Sequence, residues 1–215
     1  MGLGEWEPAP MRGAGLPVAD AAAVELLQAA HSGTADLGPA EAQGLEQALR
    51  SDEAAWAEEF GVAEDVTGLY AERNVFRYLP LPVTVRLSEG EPLADLLRVV
   101  AAGLRAGSAL TVSTAHELPA PVRAVLTDRG VPVRVEDDAA WLADAPALDG
   151  GRVRLIGGDR AAFIAATGSR PDVAVYAHPV TAAGRVEMLP FLHEQAVSIT
   201  AHRFGTPNHL TDGLI

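Results

Sequence analysis

Cysteine is missing from this 215-residue chain, and so is lysine, because all 16 basic residues are arginine. The first absence excludes disulfides, thiolate metal sites and cysteine nucleophiles. The second excludes Schiff-base chemistry and a P-loop lysine within the chain. Aromatic residues are scarce, at 5% of the total, while alanine and valine dominate the apolar set. That composition favours closely packed helices and strands over an aromatic-lined cavity. Positive charge is also in deficit: the net charge is −13 and the arginines form no stripe, which opposes nucleic acid and anionic membrane partners. No apolar run approaches the roughly 20 residues that span a bilayer. The opening Met1-Gly2-Leu3-Gly4-Glu5-Trp6-Glu7-Pro8 has neither a basic region nor an apolar core, so no secretory signal is read there and the cytoplasm is the expected compartment.

What is present is enough for one domain with an appended segment. Four glycines and three prolines fall in the first 17 residues, which read as an extended arm. A helix is expected over 18–30, with Val24 and Leu27 on one face, and His31-Ser32-Gly33-Thr34 breaks it. A second helix is expected over 39–60. It opens on Pro39, carries Leu45, Leu49, Trp56 and Phe60 on one stripe, and ends at Gly61. From Asn74 the rhythm changes to short strands and helices in alternation. Strands are expected at 83–87, 109–113, 131–135, 153–156 and 173–176, and helices at 92–106, 119–129 and 161–167. Asp137 or Asp138 caps a short helix through Trp141 and Leu142, and Asp159 caps the last of the series. The fold class is therefore α/β: a Rossmann-like, mostly parallel sheet of about five strands, preceded by a helical hairpin and followed by a docking strand and tail. The expected division is 1–17 arm, 18–72 hairpin, 73–186 Rossmann-like domain, and 187–215 C-terminal motif and tail. In the last part residues 187–194 read as a helix. Residues 196–204 then alternate, with Val197, Ile199 and Ala201 on one side and Ser198, Thr200 and His202 on the other, a half-exposed strand suited to pairing along another sheet's edge.

Local motifs for chemistry are weak. A dinucleotide site wants Gly-x-Gly-x-x-Gly after the first strand, where amides meet the pyrophosphate. The chain has Ser88-Glu89-Gly90-Glu91 there, with two carboxylates where an anion would sit, and Gly157-Gly158-Asp159 after the fourth strand is a turn with a cap. No histidine pair among His31, His116, His178, His193, His202 and His209 has helical metal-ligand spacing. Ser198, His202 and Asp212 have the residue types of a hydrolase triad, but no Gly-x-Ser-x-Gly elbow accompanies them. Glu58-Glu59 and Asp137-Asp138 read as a solvated face and a cap, and Trp6, Trp56 and Trp141 form no local cluster. No catalytic, cofactor-binding or metal-binding residue is assigned.

The end of the chain is more specific. Asp172-Val173-Ala174-Val175-Tyr176, and the run from Gly184 through Met188-Leu189-Pro190-Phe191 to Glu194-Gln195-Ala196-Val197-Ser198-Ile199-Thr200-Ala201-His202-Arg203-Phe204-Gly205, resemble the C-terminal end of the long proline utilization A enzymes. Those are bifunctional flavoproteins joining proline dehydrogenase to L-glutamate γ-semialdehyde dehydrogenase. Glu72-Arg73-Asn74 and Gly2-Leu3-Gly4-Glu5-Trp6 are similar to the family's approach to the same region. The resemblance implies a noncatalytic domain of the aldehyde dehydrogenase superfamily that caps the dehydrogenase module and supports channelling of the pyrroline-5-carboxylate/semialdehyde intermediate. FAD and NAD would then belong to the parent enzyme and not to this chain. The implied partner is the aldehyde dehydrogenase module of the parent or of a homologous chain, docked by Val197, Ser198, Ile199, Thr200, Ala201, His202, Arg203 and Phe204, with Leu214 and Ile215 as an apolar anchor. A free-standing NAD(P)-binding module and a self-associating structural fragment are the alternatives.

Overall fold

The computed structural model describes residues 16–31, 37–203 and 206–207. Most of the expected arm, the break after His31, Phe204-Gly205, and the tail with His209, Asp212, Leu214 and Ile215 lie outside the described residues.

Five parallel strands form the central sheet. They are β3 (Val83–Leu87), β4 (Leu110–Thr114), β5 (Val133–Val135), β6 (Gly151–Ile156) and β7 (Val173–Tyr176), in spatial order β5-β4-β3-β6-β7. The first three strands step outward in one direction, and the chain then returns to lay β6 and β7 on the other side of β3. That order places a topological switch point between β3 and β6. Helices α3 (Leu93–Arg105), α4 (Ala120–Asp128), α5 (Asp138–Asp144) and α6 (Arg160–Ala166) make the connections. The caps form as expected: Asp137 Oδ1 accepts from Ala140 N at 2.7 Å, and Asp159 Oδ1 accepts from Ala161 N at 2.8 Å and Ala162 N at 3.0 Å.

The hairpin helices, α1 (Ala21–His31) and α2 (Pro39–Ala55), lie over the same face as α3 and α4. Their apolar stripes, with Leu26, Leu45 and Leu49, join Val83, Val85, Leu96, Val100 and Val112 in one large core. Helix α2 continues into a wider π-helical turn (Trp56–Phe60) that inserts the buried Phe60. The opposite sheet face is covered by α5 and α6 through a smaller core of Trp141, Val153, Leu155 and Phe163, in which the two rings stack 5.2 Å apart. Helix α2 also buries polar residues, at Ser51, Asp52 and Glu53. Asp52 makes a bidentate pair with Arg98, at 2.7 and 2.8 Å, and Glu53 pairs with Arg105. These carboxylates are cross-links from α2 to α3.

Two local expectations fail. Residues 187–194 do not form one helix. A short α7 (Gly184–Glu187) and a 3₁₀ turn (Leu189–Phe191) lead into a strand, β8 (Leu192–Thr200), that already contains His193 and Glu194. Pro190 stands in that turn and prevents any helix from running through it. Before β3, between the end of the expected helix at 60 and the expected strand at 83, stand β1 (Glu64–Asp65) and a nine-residue strand, β2 (Glu72–Pro80). Its apolar residues, Val75, Phe76, Tyr78 and Leu79, fall on both sides of the strand and so show no clean two-residue period.

Candidate docking ribbon

β1, β2 and β8 form a second, antiparallel sheet in the order β1-β2-β8. β8 pairs with β2 over its whole length, from Glu72 opposite Thr200 to Pro80 opposite Leu192. Directly opposed side chains add polar rungs: Arg77 Nε donates to Gln195 Oε1 at 2.7 Å, and Ser198 Oγ donates to Asn74 Oδ1 at 2.5 Å. Burial alternates as the sequence implies, with His193, Gln195, Val197 and Ile199 half-buried and Glu194, Ala196, Ser198 and Thr200 exposed. Among the described residues β8 is bonded along one edge only, so a row of backbone donors and acceptors stands open on the other.

The expected docking residues are therefore shared between two places. Val197, Ser198, Ile199 and Thr200 lie in β8; Ala201 follows, buried, with its N–H donating to Ala71 O at 2.9 Å. His202 and Arg203 form β9 (His202–Arg203), which pairs with β10 (Thr206–Pro207) and not with the ribbon. The strand thus begins four residues earlier than 196 and ends at Thr200, because its start is set by the turn at Pro190 and its length by β2. Phe204, Leu214 and Ile215 fall outside the described residues. Ser198 and His202 come from different strands of different sheets, and no hydrogen bond joins them.

The far end of the ribbon carries a feature that the sequence pattern did not single out. Asp65 Oδ1 accepts from Thr67 N (3.0 Å), Thr67 Oγ1 (2.8 Å) and Gly68 N (3.2 Å), and Gly68 takes a left-handed φ of 55°. The Thr67 hydroxyl bond, with these amide bonds, holds the Asp65 carboxyl below its usual range. This turn holds Val66 (71% exposed), Leu69 (53%) and Tyr70 (84%) out in solvent together. Three large apolar side chains in five residues would have been visible as a run lacking any helical or strand period.

The near end is a neck gripped by arginines. Arg152 Nη1 donates to the carbonyls of Leu192 (2.6 Å), Pro190 (2.9 Å) and Leu189 (3.4 Å). Two residues on, the fully buried Arg154 pairs with the fully buried Glu187 at 2.7 Å. Arg98 Nε donates to Thr181 O at 2.9 Å. Exchanging Arg152 for methionine keeps most of the stem and removes the shared donor. It is expected to lower the local opening free energy at the start of β8 by about 1–3 kcal/mol, read as faster amide hydrogen exchange there with little change around α5.

A dinucleotide is the group this sheet type invites, and its place is the crevice beyond β3 and β6. The two loops there interlock: a Cβ at Gly157 would collide with the Glu91 side chain, and one at Gly158 would lie 2.5 Å from Ser88 Oγ. The glycines serve contact between loops and leave no bare backbone for a pyrophosphate. The adjoining cavity, lined by Ser88, Asp138, Trp141, Asp159 and Phe163, has about 150 Å³. Ligand sites commonly need at least about 300 Å³. The residues do not fit the cofactor. Among the described residues no cluster of three His, Asp or Glu side chains is arranged to hold a metal ion, and no helix is long and apolar enough to cross a membrane.

No family model matches the sequence, and no curated protein matches it. Solved structures do. Proline utilization A from Corynebacterium freiburgense is 33% identical over 80% of this chain, with a TM-score of 0.52, and the match covers 15% of that protein. A variant of proline utilization A from Bradyrhizobium japonicum is 23% identical over 74% of this chain, with a TM-score of 0.58 and 19% of its own length covered. The second likeness speaks for the fold alone, whereas the first extends to sequence. The chain spans less than a fifth of either solved protein. By the terminal motif and this likeness, the chain is the counterpart of one portion of those much longer proline utilization A proteins.

Proposed function

We propose that this chain is a noncatalytic docking domain that lays its ribbon along the aldehyde dehydrogenase module of a proline-oxidising enzyme and helps to enclose the path of the semialdehyde intermediate. The observation that carries the reading is the outer edge of β8, which among the described residues pairs with no strand, while its inner side is bonded to β2 along its whole length. Strand addition to such an edge gains main-chain hydrogen bonds, while alternate side chains select the partner. The exposed Val66, Leu69 and Tyr70 supply apolar area at the end of the ribbon. The missing thiol supports a non-catalytic role, since aldehyde oxidation of this kind uses a cysteine nucleophile. The interlocked crevice argues against the alternative of an NAD(P)-binding module.

The test is complementation. A bifunctional parent enzyme truncated where this region begins is mixed with the chain, and the lag before NADH appears from proline is measured. Formation of a complex and a shortened lag are expected. No complex and an unchanged lag would overturn the reading.

A further inference from the structure

Four ionised side chains meet under the neck. Asp52 of α2 is 1% exposed and pairs with Arg98 of α3; Glu187 of α7 and Arg154 of β6 are fully buried. Main chain joins the two pairs, because Thr181 O accepts from Arg98 Nε and Thr181 N donates to Glu187 Oε2 at 3.0 Å. Gly184 closes the assembly from above. Its N–H donates to Ser51 Oγ at 3.0 Å, and a Cβ there would lie 2.6 Å from Asp52 N, so α7 rests directly on the α2 backbone. Two polar atoms in this region have no partner among the described residues, Arg154 Nη2 and His178 Nε2, and the latter stands 3.8 Å from Glu187 Oε2.

We propose that this neck is a proton-sensitive joint, in which Asp52 is the group that takes up the proton and the segment from Thr181 to Leu192 is the part that responds. Asp52 is faced by Arg98 from α3 and Glu187 from α7, with Glu53 beside it on its own helix. Arg105 and the N–H groups of Ala19 and Asp20 hold Glu53, Arg154 holds Glu187, and His178 faces Glu187 from the loop. Two carboxylates thus bear on Asp52 against one guanidinium, in a buried place. Burial pushes its carboxyl up to about 6 against the pull of Arg98, and Glu187 adds to the rise. Protonation weakens the bidentate pair, and Arg98 then holds Thr181 O without its carboxylate counterweight. The joint is independent of what the ribbon docks against.

The sign follows from linkage. A carboxyl raised in the folded state favours folding most below its unfolded value, near 3.8, and that contribution is lost as pH rises toward 6. Relative to Asp52→Asn, the unaltered chain should therefore gain up to about tenfold in its folding constant per pH unit on descending from 6 toward 4. A second readout avoids the variant, which leaves Arg98 unpaired. Carbon-detected NMR of the unaltered chain follows the Asp52 carboxyl together with the amides of Thr181, Gly184 and Glu187. A shared midpoint near 6 is expected. Titration of Asp52 near 4 or below, or neck amides that do not follow it, would overturn the proposal.

Discussion

Exchanging Glu187 for alanine is expected to lower the stability of the chain by about 3–5 kcal/mol, measured by urea unfolding. Neither member of the Arg154–Glu187 pair is exposed. Arg154 is held further only by the carbonyls of Leu155 (3.0 Å) and Tyr176 (3.5 Å), and its Nη2 already has no partner. Removing the carboxylate leaves a guanidinium charge in the core with no counterion. It also strips the Thr181 N–H of its acceptor. Exchanging both residues for methionine should restore most of the loss, because the penalty belongs to the uncompensated charge and not to the absence of a pair. A double variant as unstable as the single one would contradict this account.

Phe191→Ala is expected to cost a similar amount, about 3–5 kcal/mol, with the damage concentrated in the ribbon. The ring is completely buried, and its floor is the bare backbone of Gly103 in α3, where a Cβ would stand 2.8 Å from the ring edge. The Phe191 carbonyl accepts from Leu81 N at 2.9 Å, joining the start of β8 to the exit of β2. The ring thus fastens both ribbon strands to the central domain at one point. Amide exchange should show β2 and β8 losing protection before β3 and β6 do. Uniform loss across both sheets would show instead that the ribbon and the central domain open as one unit.

The parts of this fold visible in the chain are those built from neighbours in sequence. The β3–α3–β4 unit, the caps at Asp137 and Asp159 and the stripe of α2 each rest on a local period or a local hydrogen bond, so residue order suffices to find them. The alternation through Val197 and Ile199 was visible for the same reason. The two ribbon partners are different. β2 carries apolar residues on both sides, and its full-length partner lies more than a hundred positions later. Residues 187–194 contain helix formers, and the turn at Pro190, under the grip of Arg152, overrides that preference.

Residue order alone determined the α/β class, the absence of a cysteine, the likeness at the terminal motif and the half-exposed character of the last long strand, all of which depend on composition or short spacing. Tertiary structure decided which edge of that strand is occupied, that Asp52 and Glu187 lie buried beside arginines from other elements, and that the switch-point crevice is closed by its own loops. The physical reason is common to all three. Burial and pairing between distant segments set the energy of a charge or a hydrogen-bonding edge, and no local pattern encodes which segment will arrive.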